Sequence, residues 1–239
     1  MKSFKKRIEE GRCQGIGAEY VPFITSREAR SRGTASSIYD AIEGRLVHTL
    51  STTETWAYYK IRWDPDVIHI REQYLLDTDR MRKIGKEFGV KCGDYYTTDF
   101  LVDYKDGSQR AYSVKYSRRE FDENNPKYFG NEKAFSKLVI RQAMEKLYWE
   151  SQGVAFSIIT REDINLDYVI NISNVMSFYD EFRVVSREHK LMYLIAHRYV
   201  IVPMDKMRLN FKKLADKATF DIDDLYEKVQ LAREVYSDE

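Results

Sequence analysis

The chain has 239 residues, and its 39 basic and 38 acidic side chains leave a formal net charge of +1. With 43% hydrophobic residues, the composition excludes global disorder and predicts one domain of ordinary size plus a small second one. No apolar run approaches the ~18 residues of a membrane span, and the first residues lack the apolar stretch of a signal peptide. We therefore expect a cytoplasmic protein with no membrane contact.

The first 45 residues are predicted to form an irregular arm. A short helix at residues 4–10 precedes a glycine-rich stretch, and the Ser-, Arg- and Gly-rich residues 26–44 are predicted to form a surface loop. Residues 1–33 hold eight basic and four acidic side chains, an imbalance that suits phosphate contacts. A scaffold arm packed on the core is the alternative.

Ordered elements are predicted from residue 45 onward. A short strand covers residues 45–50, and a helix at 51–63 places Trp56, Tyr59 and Trp63 on one apolar face. Alternating apolar and polar residues predict strands over 67–76, 95–104 and 109–116. Asp106-Gly107 between the last two predicts a tight hairpin.

A long helix over residues 132–152 and a buried strand over 154–160 complete an α/β fold with a mixed sheet. From residue 162 the patterns are mostly helical, with one β-like run at 197–202, which suggests a small helical or winged-helix-like domain. We predict an arm (1–45), a catalytic core (46–168) and a C-terminal partner-binding domain (169–239). The C-terminal region has a basic block at 183–217 and an acidic tail, typical of polyanion and protein partners or of solvated helix faces.

The predicted hairpin brings chemistry-bearing residues together. Because residues two apart on a strand share a face, Asp99 is predicted to lie beside Ser113 and Lys115, and the helix carrying Glu54 can add a second carboxylate. Two carboxylates and a lysine suit a Mg²⁺ site that activates water against a phosphodiester, with Mn²⁺ as a substitute. An aspartate followed on the next strand by x-Lys is the short form of the PD-(D/E)-x-K nuclease pattern, which predicts a restriction-endonuclease-like core.

Each of these residues also has a structural interpretation. Ser51 to Glu54 forms a capping-box sequence, in which Glu54 only satisfies the start of its helix. Asp99 and Lys115 are equally compatible with charges on solvated strand positions. An Asp and a Lys at this spacing also occur often by chance.

Several separate stretches, in order, resemble the TnsA family, the endonuclease subunits of the heteromeric transposases of Tn-seven-like transposons. The resemblance covers roughly residues 5–180. It rests on these stretches: KKRIEEGRCQGIGAEYVPF, GRLVHTLSTTE, IREQYLL, TTDFLVDYKDG, SVKYS and EKLYWESQGVAFSIIT.

The resemblance implies a role for single residues. It matches Glu54 to the helix glutamate, Asp99 to the metal-binding aspartate and Lys115 to the active-site lysine of the family. A further acidic position matches Glu145. Ser113 departs from the glutamine that the family often has there, so a water or the Val114 backbone carbonyl is expected to take over metal binding at that point.

The resemblance also implies partners. These are transposon-end DNA cut at its 5′ ends, an integrase-like transposase subunit that cuts the 3′ ends, and an AAA+ ATPase regulator that binds the C-terminal domain, all in the bacterial cytoplasm. The basic residues expected to contact DNA are Lys5, Lys6, Arg7, Arg12, Arg118 and Arg119. The alternatives are a stand-alone restriction- or repair-type nuclease and a catalytically silent adaptor between the transposase and its ATPase.

Overall fold

A computed structural model describes residues 3–29 and 34–237, with side chains through residue 233. Parts of the predicted arm, surface loop and acidic tail (1–2, 30–33 and 238–239) lie outside the described residues. The strands are β1 (Ser36–Asp40), β2 (Arg45–Thr49), β3 (Val67–Leu75), β4 (Thr97–Tyr104), β5 (Gln109–Lys115) and β6 (Ala155–Thr160). The α-helices are α1 (Phe4–Glu9), α2 (Thr52–Arg62), α3 (Thr78–Glu87), α4 (Glu132–Glu150), α5 (Leu166–Met176), α6 (Arg187–Ala196), α7 (Phe211–Asp216) and α8 (Ile222–Ser237).

The chain divides into two compact units, Met1–Ile164 and Asn165–Glu239. The first unit is α/β with a mixed sheet, which confirms the predicted fold class at that level. The finer division into an arm, a catalytic core and a partner-binding domain stays a prediction, because it concerns what each segment does.

A four-stranded sheet in the order β3-β4-β5-β6 forms the framework of the first unit. Strands β3, β4 and β5 pair antiparallel, whereas β6 pairs parallel to β5. The β4–β5 hairpin closes at the predicted turn, where Gly107 takes a φ of +81° that a side chain would disfavour. Phe100 lies opposite Tyr112 in this hairpin, which fixes the register of the residues beyond it.

Helices α3 and α4 cover the sheet through one hydrophobic core. Met81 of α3 and Met144 of α4 are almost fully buried against Leu101 of β4 and Ala111 of β5. Helix α4 ends before Gly153, which has a φ of +72° as expected for a glycine that terminates a helix. This packing fixes the position of α4 beside the end of the hairpin.

Two short elements were absent from the sequence prediction. Strand β1 lies inside the predicted 26–44 loop and pairs antiparallel with β2. Helix α3 is capped by the Asp77 side chain, which accepts a hydrogen bond from the Arg80 amide at 2.7 Å. Most α3 residues are charged, so its helical pattern depends on two apolar residues, Met81 and Ile84.

Helix α2 is present, and Trp63 at its C-terminal end is buried as predicted, but the rest of the predicted apolar face is wrong. Its buried side chains include Ala57, Tyr58 and Ile61, whereas Trp56 and Tyr59 are only partly buried. Helix α2 contacts β2, β3 and β5. The helix is thus rotated relative to the prediction. Thr53 and Glu54 of its first turn are buried, whereas Trp56 is partly exposed.

A buried charged network ties the β1–β2 hairpin to β3 and α2. The guanidinium of Arg45 donates to Glu72 at 2.9 and 3.0 Å and to Glu43 at 2.7 Å. Arg62 of α2 lies 2.5 Å from Glu43 and 2.8 Å from Asp40, and its side chain is fully enclosed. Buried charges are tolerated only when they are paired in this way.

The second unit contains helices α5–α8 and no strand among its described residues. The β-like run predicted at 197–202 is therefore wrong, because these residues form turns and irregular backbone. Leu194 and Ile195 of α6 and Ile172 of α5 are buried in this helical unit. Within the described residues, no helix combines the length and apolarity needed to cross a membrane.

Candidate active site

The β4–β5 hairpin brings Asp99 and Lys115 to the same place. The Asp99 carboxylate accepts a hydrogen bond from the Val114 amide at 2.6 Å, and its Oδ2 lies 3.7 Å from Lys115 Nζ. The ammonium of Lys115 is held in turn, since it donates to Ser113 Oγ at 2.6 Å and to the Val114 carbonyl at 2.9 Å. Both charged side chains keep about a fifth of their surface exposed, so the pair is accessible from solvent.

Glu54 serves its own helix and also faces this site. Ser51 caps α2 by accepting from the Glu54 amide at 3.2 Å, and the Glu54 carboxylate accepts from Ser51 Oγ and from the Leu50 amide. Ser51 caps the helix as the sequence predicts, but the carboxylate accepts from the Leu50 amide rather than from the Ser51 amide of a full capping box. Glu54 Oε2, which accepts from the Leu50 amide, also lies 3.4 Å from the side-chain nitrogen of Gln73 on β3. The capping role therefore does not turn the carboxylate away from the sheet.

Gln73 joins the two carboxylates and was not singled out from the sequence. Its Nε2 donates to Glu54 Oε2 at 3.4 Å and to Asp99 Oδ1 at 3.3 Å, while its Oε1 accepts from Thr97. The residue is buried, and its φ of +48° is rare for a non-glycine residue within a strand. The sequence signal is a break in alternation, where three polar residues, Arg71, Glu72 and Gln73, follow each other in IREQYLL.

Glu145 of α4 supplies a third carboxylate, almost fully enclosed in protein. Thr98 Oγ1 donates a hydrogen bond to it from β4, and the Gln142 amide lies 3.5 Å away on the preceding helical turn. Thr98 is adjacent to Asp99 in the chain, so Glu145 is held close to the site by its neighbour. Only 3% of the residue is exposed.

Burial and mutual repulsion raise the pKa of two of these carboxyl groups. Burial, and after it the negative charge of Asp99, raises the pKa of Glu54 to about 7. The same two causes, in the same order, raise the pKa of Glu145 to about 7, with Lys115 acting in the opposite direction. The acids therefore compete for a single nearby ammonium, and the site holds more negative charge than its own cation balances.

The donor set fits a hard divalent cation. Glu54 Oε2 and Asp99 Oδ1 both accept from the side-chain amide nitrogen of Gln73, so two carboxylate oxygens converge on a point that attracts positive charge. Oxygen ligands of this kind are those that Mg²⁺ prefers, with water completing its shell. The described residues contain no group of three or more His, Cys, Asp or Glu side chains arranged to hold a metal. The Val114 carbonyl, a predicted ligand, here accepts from Lys115.

The predicted DNA contacts fall into two groups. Lys5 and Lys6 on α1 and Arg118 and Arg119 after β5 are exposed, although Arg118 pairs with Asp163. Arg7 and Arg12, by contrast, are enclosed in the protein.

The enclosed positions of Arg7 and Arg12 correct the prediction for these two residues. Arg12 makes a two-point ion pair with Glu28 and donates to the Phe23 carbonyl at 2.9 Å. Arg7 lies over the Phe23 ring at 5.0 Å. Their guanidinium groups bind other residues of the arm. At these two positions the structure therefore agrees with the alternative interpretation, a scaffold arm packed on the core.

The comparisons with known proteins point to one family. The model of the TnsA-like endonuclease N-terminal domain matches residues 64–161, a range that contains Asp99, Ser113, Lys115 and Glu145. The transposition protein TnsA of transposon Tn7 from Escherichia coli is 34% identical over 168 residues, or 67% of this chain. The chain is a TnsA-like protein. The TnsA-like chain spans 57% of the length of that curated relative.

Proposed function

We propose that this TnsA-like protein is a metal-dependent DNA endonuclease that cuts the 5′ ends of a transposon. The observation that carries the proposal is the convergence of Glu54 and Asp99 on the Gln73 amide, with Lys115 3.7 Å from Asp99. The match of residues 64–161 to the TnsA-like endonuclease domain supports phosphodiester hydrolysis as the class of reaction. A restriction-endonuclease-like core of the PD-(D/E)-x-K type is part of the same proposal, because an aspartate and an x-Lys on adjacent strands form its pattern.

Each site residue has a proposed role. Glu54 and Asp99 would hold the cation, Mg²⁺ or Mn²⁺, and Glu145 is a secondary candidate. When bound, such a cation lowers the pKa of water and offsets phosphate charge. Lys115, fixed by Ser113 and the Val114 carbonyl, is positioned to hydrogen-bond an attacking water or a phosphate oxygen. Attack on phosphorus would break the bond to the 3′-oxygen and leave a 5′-phosphate.

The proposed reaction belongs to cut-and-paste transposition and needs partners. The curated relative is named as a transposition protein, which supports a role beside an integrase-like transposase subunit that cuts the 3′ ends. An AAA+ ATPase regulator is proposed to bind the C-terminal unit. We therefore expect the isolated chain to nick transposon-end DNA poorly and the assembled complex to nick it well, whereas a stand-alone nuclease would cut alone.

The substitution Asp99→Asn tests the proposal, with Asp106→Asn as its matched control. Both replace an aspartate of the same hairpin, but Asp106 lies in the exposed turn, where its side chain accepts a hydrogen bond from the Ser108 amide at 2.9 Å and asparagine preserves that acceptor. Asp99→Asn should abolish Mg²⁺-dependent 5′-end nicking in the presence of the transposase partner, and Asp106→Asn should leave it unchanged. Full nicking by Asp99→Asn would refute the assignment.

A second candidate function is a catalytically silent adaptor. The observations that favour it are the serine at 113 and the lack, in the described residues, of a group of three or more metal-holding side chains. Calorimetric titration with Mg²⁺ and Mn²⁺ separates the two functions. Binding that Asp99→Asn weakens and Asp106→Asn does not supports the nuclease, and no binding of either cation by the wild-type chain supports the adaptor.

A further inference from the structure

A groove with a basic lining opens between the segment before β4 and the first three turns of α4. It has a volume of about 720 Å³. Lys91, Tyr95 and Tyr96 line it from the first segment, and Lys133, Lys137 and Arg141 line it from the helix. We call these six residues the cationic groove.

The positive charge of the cationic groove is not neutralised. Within the described part of the chain, none of its four basic side chains forms an ion pair with a carboxylate, and Glu132 is the one acidic side chain among the described lining residues. By contrast, Lys146 on the same helix pairs with Glu150 at 3.7 Å. Exposed cations gathered in a concave surface concentrate a positive potential, which attracts an anionic partner.

The spacing on α4 makes this arrangement unfavourable for the helix alone. Lys133, Lys137 and Arg141 follow each other at intervals of four residues, so neighbouring positive charges lie on one face and repel. A row of phosphates along that face would replace this repulsion with attraction. The half-buried rings of Tyr95 and Tyr96 provide an apolar wall suited to the sugars and bases of a nucleic acid strand.

Both walls of the groove are continuous in the chain with residues of the candidate active site. Arg141 precedes Glu145 by one helical turn, and Tyr96 precedes Thr98, which hydrogen-bonds Glu145, by two residues. Arg141 also lies over the Tyr96 ring, with its guanidinium carbon 5.8 Å from the ring centre. The two walls therefore meet at Arg141 and Tyr96, the basic and aromatic lining residues that lie within four residues of Glu145 and Thr98 in the chain.

We propose that the cationic groove binds one strand of the DNA substrate, with its phosphates along Lys133, Lys137 and Arg141. The proposal rests on the proposed nuclease function for the identity of the polyanion. An acidic protein segment is the competing occupant, but it would not explain why both walls are continuous in the chain with residues of the proposed nuclease site.

Charge reversal on the groove tests the proposal. Lys133→Glu/Lys137→Glu is compared with Lys83→Glu/Lys86→Glu, which makes the same net charge change on exposed positions of α3 outside the groove. Binding of a fluorescent DNA duplex is measured by anisotropy in EDTA, so that no cleavage occurs, over a range of salt. The groove variant should lose roughly tenfold or more in affinity and about 1.8 from the salt slope, because two phosphate contacts are removed. The control should lose less than threefold.

Further arms separate the possible outcomes. A thermal melt shows whether charge reversal impairs folding. The neutralising variant Lys137→Gln/Arg141→Gln, which introduces no negative charge, should also lose DNA affinity and keeps the test valid if it does. Equal DNA affinity of groove and control variants, or no DNA binding by the wild-type chain at low salt, overturns the proposal. Labelled polyglutamate serves as a probe for an acidic protein segment. A groove variant that binds polyglutamate more weakly but binds DNA as well as the wild type also overturns the proposal. If groove variants lose DNA affinity but the wild-type complex never nicks DNA, the groove stands and the nuclease proposal fails.

Discussion

Replacing Glu145 by glutamine should stabilise the metal-free protein at alkaline pH. The Glu145 carboxyl has a pKa of about 7 in the folded chain, against 4.5 for an unperturbed glutamate. Because the folded pKa is raised, the folded state binds this proton more tightly than the unfolded state. Stability is therefore lost as the pH rises from about 4.5 through 7, and glutamine, which carries no proton to lose, escapes that loss.

The size of the effect follows from the pKa difference. At pH 8, a carboxyl group with these two pKa values costs about 3 kcal/mol of folding free energy, and at pH 5 it costs less than about 1 kcal/mol. The substitution keeps one local hydrogen bond and reverses the other. Thr98 can still donate to the amide oxygen, whereas the new N–H₂ group faces Gln142 Nε2, which now donates to the carboxylate at 3.5 Å. Rotation of the Gln142 amide brings its Oε1, a buried oxygen that lacks a donor in the described structure, into position as the acceptor.

Urea unfolding in EDTA at pH 5 and pH 8 measures the prediction directly. Glu145→Gln should gain about 2–3 kcal/mol over the wild type at pH 8 and little at pH 5. Glu150→Gln, on the exposed side of the same helix, should change stability by less than about 1 kcal/mol at both pH values. An equal gain at both pH values, or no gain at pH 8, would refute the electrostatic reasoning.

Two further substitutions test the packing around the site. Arg62→Met should destabilise the protein by about 3–5 kcal/mol in urea unfolding, because it leaves Asp40 buried without its guanidinium partner and removes one of the two that pair with Glu43; a loss below 1 kcal/mol would show that the contribution of Arg62 is dispensable. Gly85→Ala should cost about 1–3 kcal/mol, because the new methyl group would overlap the sulfur of Cys92. Adding Cys92→Ala should recover most of that loss, and strictly additive effects of the two changes would contradict the steric explanation.

The sequence was sufficient to predict the part of the site that lies on the hairpin. An Asp-Gly turn and alternation along two strands placed Asp99 beside Lys115, because in a tight hairpin the turn sets the register of every later pair. The same local logic identified Glu54, whose position three residues after Ser51 marks a helix start. For Glu54, however, helix capping and a role in the site do not exclude each other. One carboxylate has enough oxygen lone pairs to accept from the start of its helix and from Gln73.

What the sequence could not predict depends on contacts between distant segments. Gln73 takes a left-handed backbone conformation near the C-terminal end of β3, and no propensity rule favours that conformation for glutamine. Arg7 and Arg12 lie in a segment with the composition of an exposed basic arm. Both are nevertheless buried, because Glu28 and Phe23 fold back over them. Charged residues are usually exposed, so only the tertiary structure identifies the exceptions.

The repulsion among the carboxylates also links stability to the proposed cation. The negative charge of Asp99 contributes to the raised pKa values of Glu54 and Glu145. A cation bound between these three carboxylates would offset that repulsion and stabilise their ionised forms. Mg²⁺ should therefore raise the melting temperature of the wild type more than that of Glu145→Gln, and the gap between the two proteins at pH 8 should narrow as the cation is added. Binding should also release protons near pH 7, because the carboxyl groups must ionise to accept the cation. If Mg²⁺ shifted both proteins equally, Glu145 would have no electrostatic connection to the cation site, and its raised pKa would be a consequence of burial alone.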